Sequence, residues 1–149
     1  MTSLHTSAYV PLLDRLCAPS DSGVGPLDAR GLHASLACAL GELLGTRSRL
    51  PMQRFIDEAA HVLDYGLPDF SALSLRSSED RLLLERAIAR AITCFEPRLM
   101  HPQVNVEEAG QAERALVRIS AAVRIGQELR RVQFALPAVA GTDLATRGA

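Results

Sequence analysis

SSEDRLLLERAIARAITCFEPRLMHPQVNV, residues 77–106, contains the change of period that decides the fold. Its first part repeats apolar side chains every three or four residues. Leu84, Ala87, Ile88, Ala91, Ile92 and Phe95 fall on one face of a helix. Ser77 and Asp80 have the spacing of a capping box, in which the hydroxyl bonds forward and the carboxylate reaches back. Arg81 and Glu85, then Arg86 and Arg90, lie four apart on the polar face. Pro97 ends the helix, because it has no N–H to give and disfavours helical geometry at Glu96. Beyond Pro102 the period falls to two: Val104 and Val106 alternate with Gln103, Asn105 and Glu107. The alternation returns in Val117, Ile119, Ala121, Val123 and Ile125, and again in Val132, Phe134 and Leu136. Breaks at Gly110-Gln111 and Gly126-Gln127-Glu128 predict strands near 103–108, 115–125 and 130–136, a meander with one apolar face.

Upstream, Leu32, Leu36, Leu40, Leu43 and Leu44 predict a helix that starts near Leu27 or Asp28. Gly45 stands where a left-handed residue would stop it. Thr46 to Pro51 is an Arg-bearing turn, and a short helix is expected within 52–63 with Phe55, Ile56, Ala59, Val62 and Leu63 inward. Gly66 and Pro68 break the chain again. Helices first and strands second, without βαβ alternation, give α+β: N-terminal helices packed on a small three-stranded antiparallel sheet. The run from Pro19 to Pro26 reads as a linker. The expected organisation is an N-terminal arm and linker over 1–26, one folded domain over 27–137, and a disordered tail over 138–149.

At 149 residues and 48% hydrophobic, the chain can bury the core of one domain. Only 4% of it is aromatic and it has no Trp, so that core is aliphatic. A net charge of −1 gives no electrostatic case for nucleic acid or an anionic membrane. All 16 basic residues are Arg, the better cation for bidentate pairing. Cys17, Cys38 and Cys94 are odd in number and form no CxxC pair; Cys38 and Cys94 are expected to pack in the core as small apolar residues. The N-terminus lacks a secretory pattern, and no apolar run is long enough to insert directly into a membrane. The chain reads as cytosolic.

Catalysis finds little support. Glycoside hydrolysis needs two opposed carboxylates, one kept protonated, and sugar sites lean on aromatic surfaces that this chain lacks. Glu96 lies two residues from Arg98, which suits it to serve as a counter-ion and not as a general acid. His5, His33, His61 and His101 show no metal spacing, and there is no glycine-rich phosphate loop and no GxSxG elbow, so no cofactor is expected. A small hydrolase remains the alternative reading.

Four segments taken in order carry a resemblance: LLDRL (12–16), LLGTRSRLP (43–51), LDYGLPDFSALS (63–74) and the capped helix ending in Glu96-Pro97-Arg98-Leu99. Together they resemble the baseplate-wedge family that includes TssE of type VI secretion systems and the lysozyme-like wedge protein of contractile phage tails. Asp64 stands where that family more often has Asn, and the resemblance fades after Leu99. It implies a non-enzymatic wedge subunit of a cytoplasmic baseplate at the inner membrane of a Gram-negative bacterium. The implied partners are TssF- and TssG-like subunits and the first ring of contractile sheath, with a TssK-like subunit as a further candidate.

Two sets of partner-binding residues follow. Glu96, Pro97 and Arg98 match a family hallmark associated with wedge assembly. As residues they make either a rigid charged corner for docking or a helix stop that caps local backbone groups, and a surface ion pair there would contribute only ~0–1 kcal/mol. Arg130, Arg131 and Val132 lie on the last strand. That strand is an edge, and an open edge is a template for strand addition.

Overall fold

The computed structural model describes residues 27–58, 61–108 and 114–139. The expected arm, Ala59 and residues 140–149 of the expected tail lie outside them. Helix α1 spans Ala29–Gly45, and its start is held by Asp28, whose carboxylate accepts from Gly31 N. Its buried face is Leu32, Leu36, Leu40, Leu43 and Leu44, as the spacing predicts. Its end differs. Gly45 is not among the residues at positive φ; Thr46 caps the helix in extended conformation, donating from both N–H and hydroxyl to Glu42 O.

Helix α2 is short, Met52–Asp57, and buries Phe55. The chain then leaves helical geometry, with a 3₁₀ turn at Val62–Asp64. Val62 and Leu63, expected inward, are 88% and 75% exposed, while Asp64 is buried. The helical period does not carry through this segment, so apolar character says nothing about the direction of these side chains.

Helix α3, Ser78–Phe95, starts at Ser77, whose hydroxyl accepts from Asp80 N at 3.3 Å. The expected reciprocal bond goes elsewhere: Asp80 accepts from Ser74 N at 2.8 Å. Its buried face is Leu84, Ala87, Ile88, Ala91 and Ile92. Cys38 and Cys94 are exposed, contrary to expectation. Each lies two positions from a buried residue, Leu36 or Ile92, and about 200° around a helix of 3.6 residues per turn points outward. Arg90 is half-buried: its Nε donates to Phe55 O and its NH2 to Glu58 O, capping the carbonyl end of α2.

The sheet has the order β1-β2-β3, with β1 Leu99–Glu108, β2 Arg114–Ile125 and β3 Glu128–Val139, each antiparallel to its neighbour. The α+β expectation therefore holds, and α1 and α3 cover one face. Strand β1 starts earlier than expected because a bulge absorbs Pro102. Two residues, His101 and Pro102, oppose the single Ala121, and His101 takes φ 52°. The bulge inverts the alternation, so that Leu99 and Val104 both face the helices. Strand β3 passes through Pro137 and continues over Ala138 and Val139, residues assigned by sequence to the tail.

Candidate functional site

The Arg-bearing turn and the Tyr65–Asp69 turn are separate in sequence and meet in space. Arg47 and Leu67 form a parallel bridge; Ser48 N donates to Leu67 O at 2.8 Å and Leu67 N to Thr46 O at 2.9 Å. The Arg47 guanidinium lies 5.0 Å over the Phe70 ring and donates to Leu44 O at 3.2 Å. Burial lowers its pKa, opposed by Asp69. The Asp69 carboxylate sits below its ordinary range because it accepts from Ser71 N. Tyr65 packs edge-on against Phe95 with centroids 5.3 Å apart, and burial, then Glu42 and Glu96, push its phenol up.

Those turns lead to the Glu96-Pro97-Arg98 corner. Glu96 is 6% exposed. Arg98 grips it with Nε on Oε1 and NH2 on Oε2, both at 2.6 Å, and its NH1 reaches Ser35 Oγ on α1 at 3.0 Å. Glu96 Oε1 also accepts from Arg98 N at 3.3 Å. The guanidinium side chain keeps 26% exposure. The corner is thus an interior joint between α3, β1 and α1 that presents one face of Arg98 and an exposed Pro97 to solvent. The expectation of a surface ion pair is corrected on this point: the carboxylate is out of water.

The two outer strands differ at their edges. On β1, Val106 N donates to Glu85 Oε1 of α3 at 2.9 Å, so a side chain fills this outward-facing position. On β3, Ile125 and Glu128 close a hairpin around Gly126-Gln127, with Gly126 at φ 61°. A two-residue turn makes 125/128 a hydrogen-bonded pair, and alternation then turns the N–H and C=O of Leu129, Arg131, Gln133 and Ala135 away from β2. Pro137 falls in the same outward set, where no N–H is needed.

This register separates the three strand residues singled out by sequence. Val132 pairs with Ala121, half-buried, with its backbone turned into the β2–β3 ladder. Arg130 pairs with Val123 and bonds Glu128 at 3.2 Å. Arg131, opposite Ala122, points to the other face and is exposed on the open edge. Glu85 and His33 were missed. Both read as ordinary helix-surface residues, and only the fold brings them to the strands, 21 and 100 residues away in sequence.

The face of the sheet opposite α1 and α3 holds a groove of about 360 Å³ crossed by Gln103, Asn105, Arg118, Ser120 and Gln133. Among the described residues, no group of three or more His, Cys, Asp or Glu could hold a metal, and no helix is long and apolar enough to cross a membrane.

A search among curated proteins gave no match. A chain of the solved structure described as "The baseplate complex from the type VI secretion system" matches 73% of this chain and 95% of its own length, with TM-score 0.52 and 20% identity, and so shares the fold. The model of the family described as "Baseplate wedge protein gp25" matches residues 30–128, which hold both turns, the buried corner, β1, β2 and the hairpin that opens β3. The chain belongs to the gp25 baseplate wedge protein family.

Proposed function

We propose that this chain is the TssE-like wedge subunit of a type VI secretion baseplate, a structural and non-catalytic part. It docks to TssF- and TssG-like subunits, with a TssK-like subunit as a further neighbour, on the cytoplasmic side of the inner membrane. Membership of the wedge family and the shared fold with a type VI baseplate chain support this reading. In it, the solvent face of Arg98 with Pro97 forms part of the docking surface. The carboxylate of Glu96 acts behind it, aiming the guanidinium.

The chain also templates the contractile sheath by strand addition at β3. The observation that carries this is the inequality of the two edges. Glu85 occupies Val106 N on β1, whereas among the described residues no side chain is bonded to the outward groups of Leu129 and Arg131 on β3, and His33 meets only Gln133 O. Arg131 would meet a carboxylate on the incoming strand.

Proline substitution tests it. At Ala135 a proline removes an outward N–H and spares the internal ladder. We expect Ala135→Pro to keep the circular dichroism spectrum and lower sheath-subunit capture about tenfold, through one lost bond and the obstructing ring. Val132→Pro, whose N–H faces β2, should instead damage the sheet itself. Undiminished sheath capture by folded Ala135→Pro would exclude β3 as the template.

A further inference from the structure

We infer that His33 is a positioning residue that keeps the β3 edge closed at Gln133 until a strand displaces it. This rests on the reading of β3 as a template and adds a device that regulates it. His33 projects from α1 around the rim of the sheet. Its Nε2 lies 3.3 Å from Gln133 O, and its ring stacks on Phe134 with centroids 4.6 Å apart and planes at 23°. A carbonyl only accepts, so Nε2 carries the proton and donates. Gln133 belongs to the outward set of β3, pairing with Ser120 across the non-bonded position. His33 therefore occupies an acceptor that an added strand needs.

The contact is built to be displaced. The His33 side chain is exposed and its bond is long. The stack on Phe134 returns the ring to the edge whenever the site is empty. On one side of Gln133, Leu129 and Arg131 offer outward groups with no side chain across them in the hydrogen bonds of the described residues; Ala135 lies on the other. A strand can start at Arg131, where charge attracts it, and extend past Gln133 only when the imidazole swings away. A chance strand without a partner for Arg131 gains too little to displace it, which is how a latch discourages indiscriminate edge pairing.

The test uses the full chain and two probes: a second copy of the chain and purified contractile-sheath subunit. His33→Ala should capture sheath subunit about fivefold faster, the worth of roughly one hydrogen bond, and should form edge-paired dimers in sedimentation velocity that the parent does not form. His33→Gln retains a donor for Gln133 O and should behave as the parent. Adding Ala135→Pro to His33→Ala should abolish the dimers. If His33→Ala leaves both capture and dimerisation unchanged, the latch does not exist. If its dimers persist with proline at 135, or if His33→Gln dimerises equally, the association uses another surface and the inference fails. Dimers that depend on β3, with no sheath capture by any variant, would keep the latch and remove the sheath from the reading above.

Discussion

The backbone of Gly66 lies so close to the Thr46 carbonyl that a Cβ at 66 would stand 2.5 Å from the oxygen. Gly66 also takes φ +109°, a region that L side chains rarely adopt. This close approach lets Leu67 bridge Arg47 and locks the two turns together. Gly66→Ala should therefore cost about 2–4 kcal/mol in urea unfolding, since neither strain nor clash can relax without breaking that bridge. Gly41 is the control. It lies within α1 with open space around its missing Cβ, so Gly41→Ala should be neutral or stabilise by up to about 1 kcal/mol.

The bidentate grip of Arg98 on Glu96 sets the second expectation. Arg98→Ala leaves a carboxylate that is 6% exposed with its main counter-charge gone. Because the guanidinium itself is partly solvated, the loss should be about 2–3 kcal/mol, below the full cost of breaking a buried pair. Glu96→Gln with Arg98→Met removes both charges and should cost less than Arg98→Ala alone. Chemical denaturation of the three variants measures this. If Arg98→Ala unfolds at the parent's urea midpoint, the joint is not structural and its role is confined to docking.

These cases mark what the residues revealed and what they withheld. The strand β2 was legible because one face is buried, so Val117, Ile119, Ala121, Val123 and Ile125 had to alternate. The stripe of α1 was legible for the same reason. Cys38 failed as a core residue because small apolar character does not outweigh an outward position. Val62 and Leu63 failed because the helix had already ended at Asp57. The corner was visible as a motif, but its burial was not. The corner is tied to α1 through the bond from Arg98 to Ser35, which no local pattern connects to it. The unequal edges were invisible, since Glu85 and His33 act on strands far away in sequence.

Tyr65 reports on the same joint from a distance. Burial first, then Glu42 and Glu96, raise its pKa above the ordinary 10.0. The fold thus favours the neutral phenol. Its contribution to stability is fully present below the unfolded-state value and is lost as pH rises through the folded one. The chain has 2 Tyr, so a Tyr9→Phe background isolates the signal. Tyrosinate absorbance should titrate at a higher pH folded than unfolded, and Glu96→Gln should move the folded midpoint down. An equal midpoint in both states would mean that the ring does not pack against Phe95 as described.

The capped edge of β1 gives the last expectation. Glu85 is half-buried and its carboxylate accepts from Val106 N at 2.9 Å, a charge-assisted bond to a strand position that faces away from β2. Glu85→Ala removes the acceptor and leaves the amide to find water beside α3. The cost should be about 1–2 kcal/mol, as for a partly buried donor left without its partner. The more specific readout is local. Hydrogen exchange at Val106 should quicken by about tenfold or more relative to Val117, its neighbour on β2, because the loss opens one edge position and not the ladder. Glu85→Gln retains a carbonyl acceptor and should keep much of the protection. Unchanged exchange at Val106 in Glu85→Ala would mean that β1 is shielded by the packing of α3 alone, and the contrast with β3 would then rest on helix coverage instead of a single carboxylate.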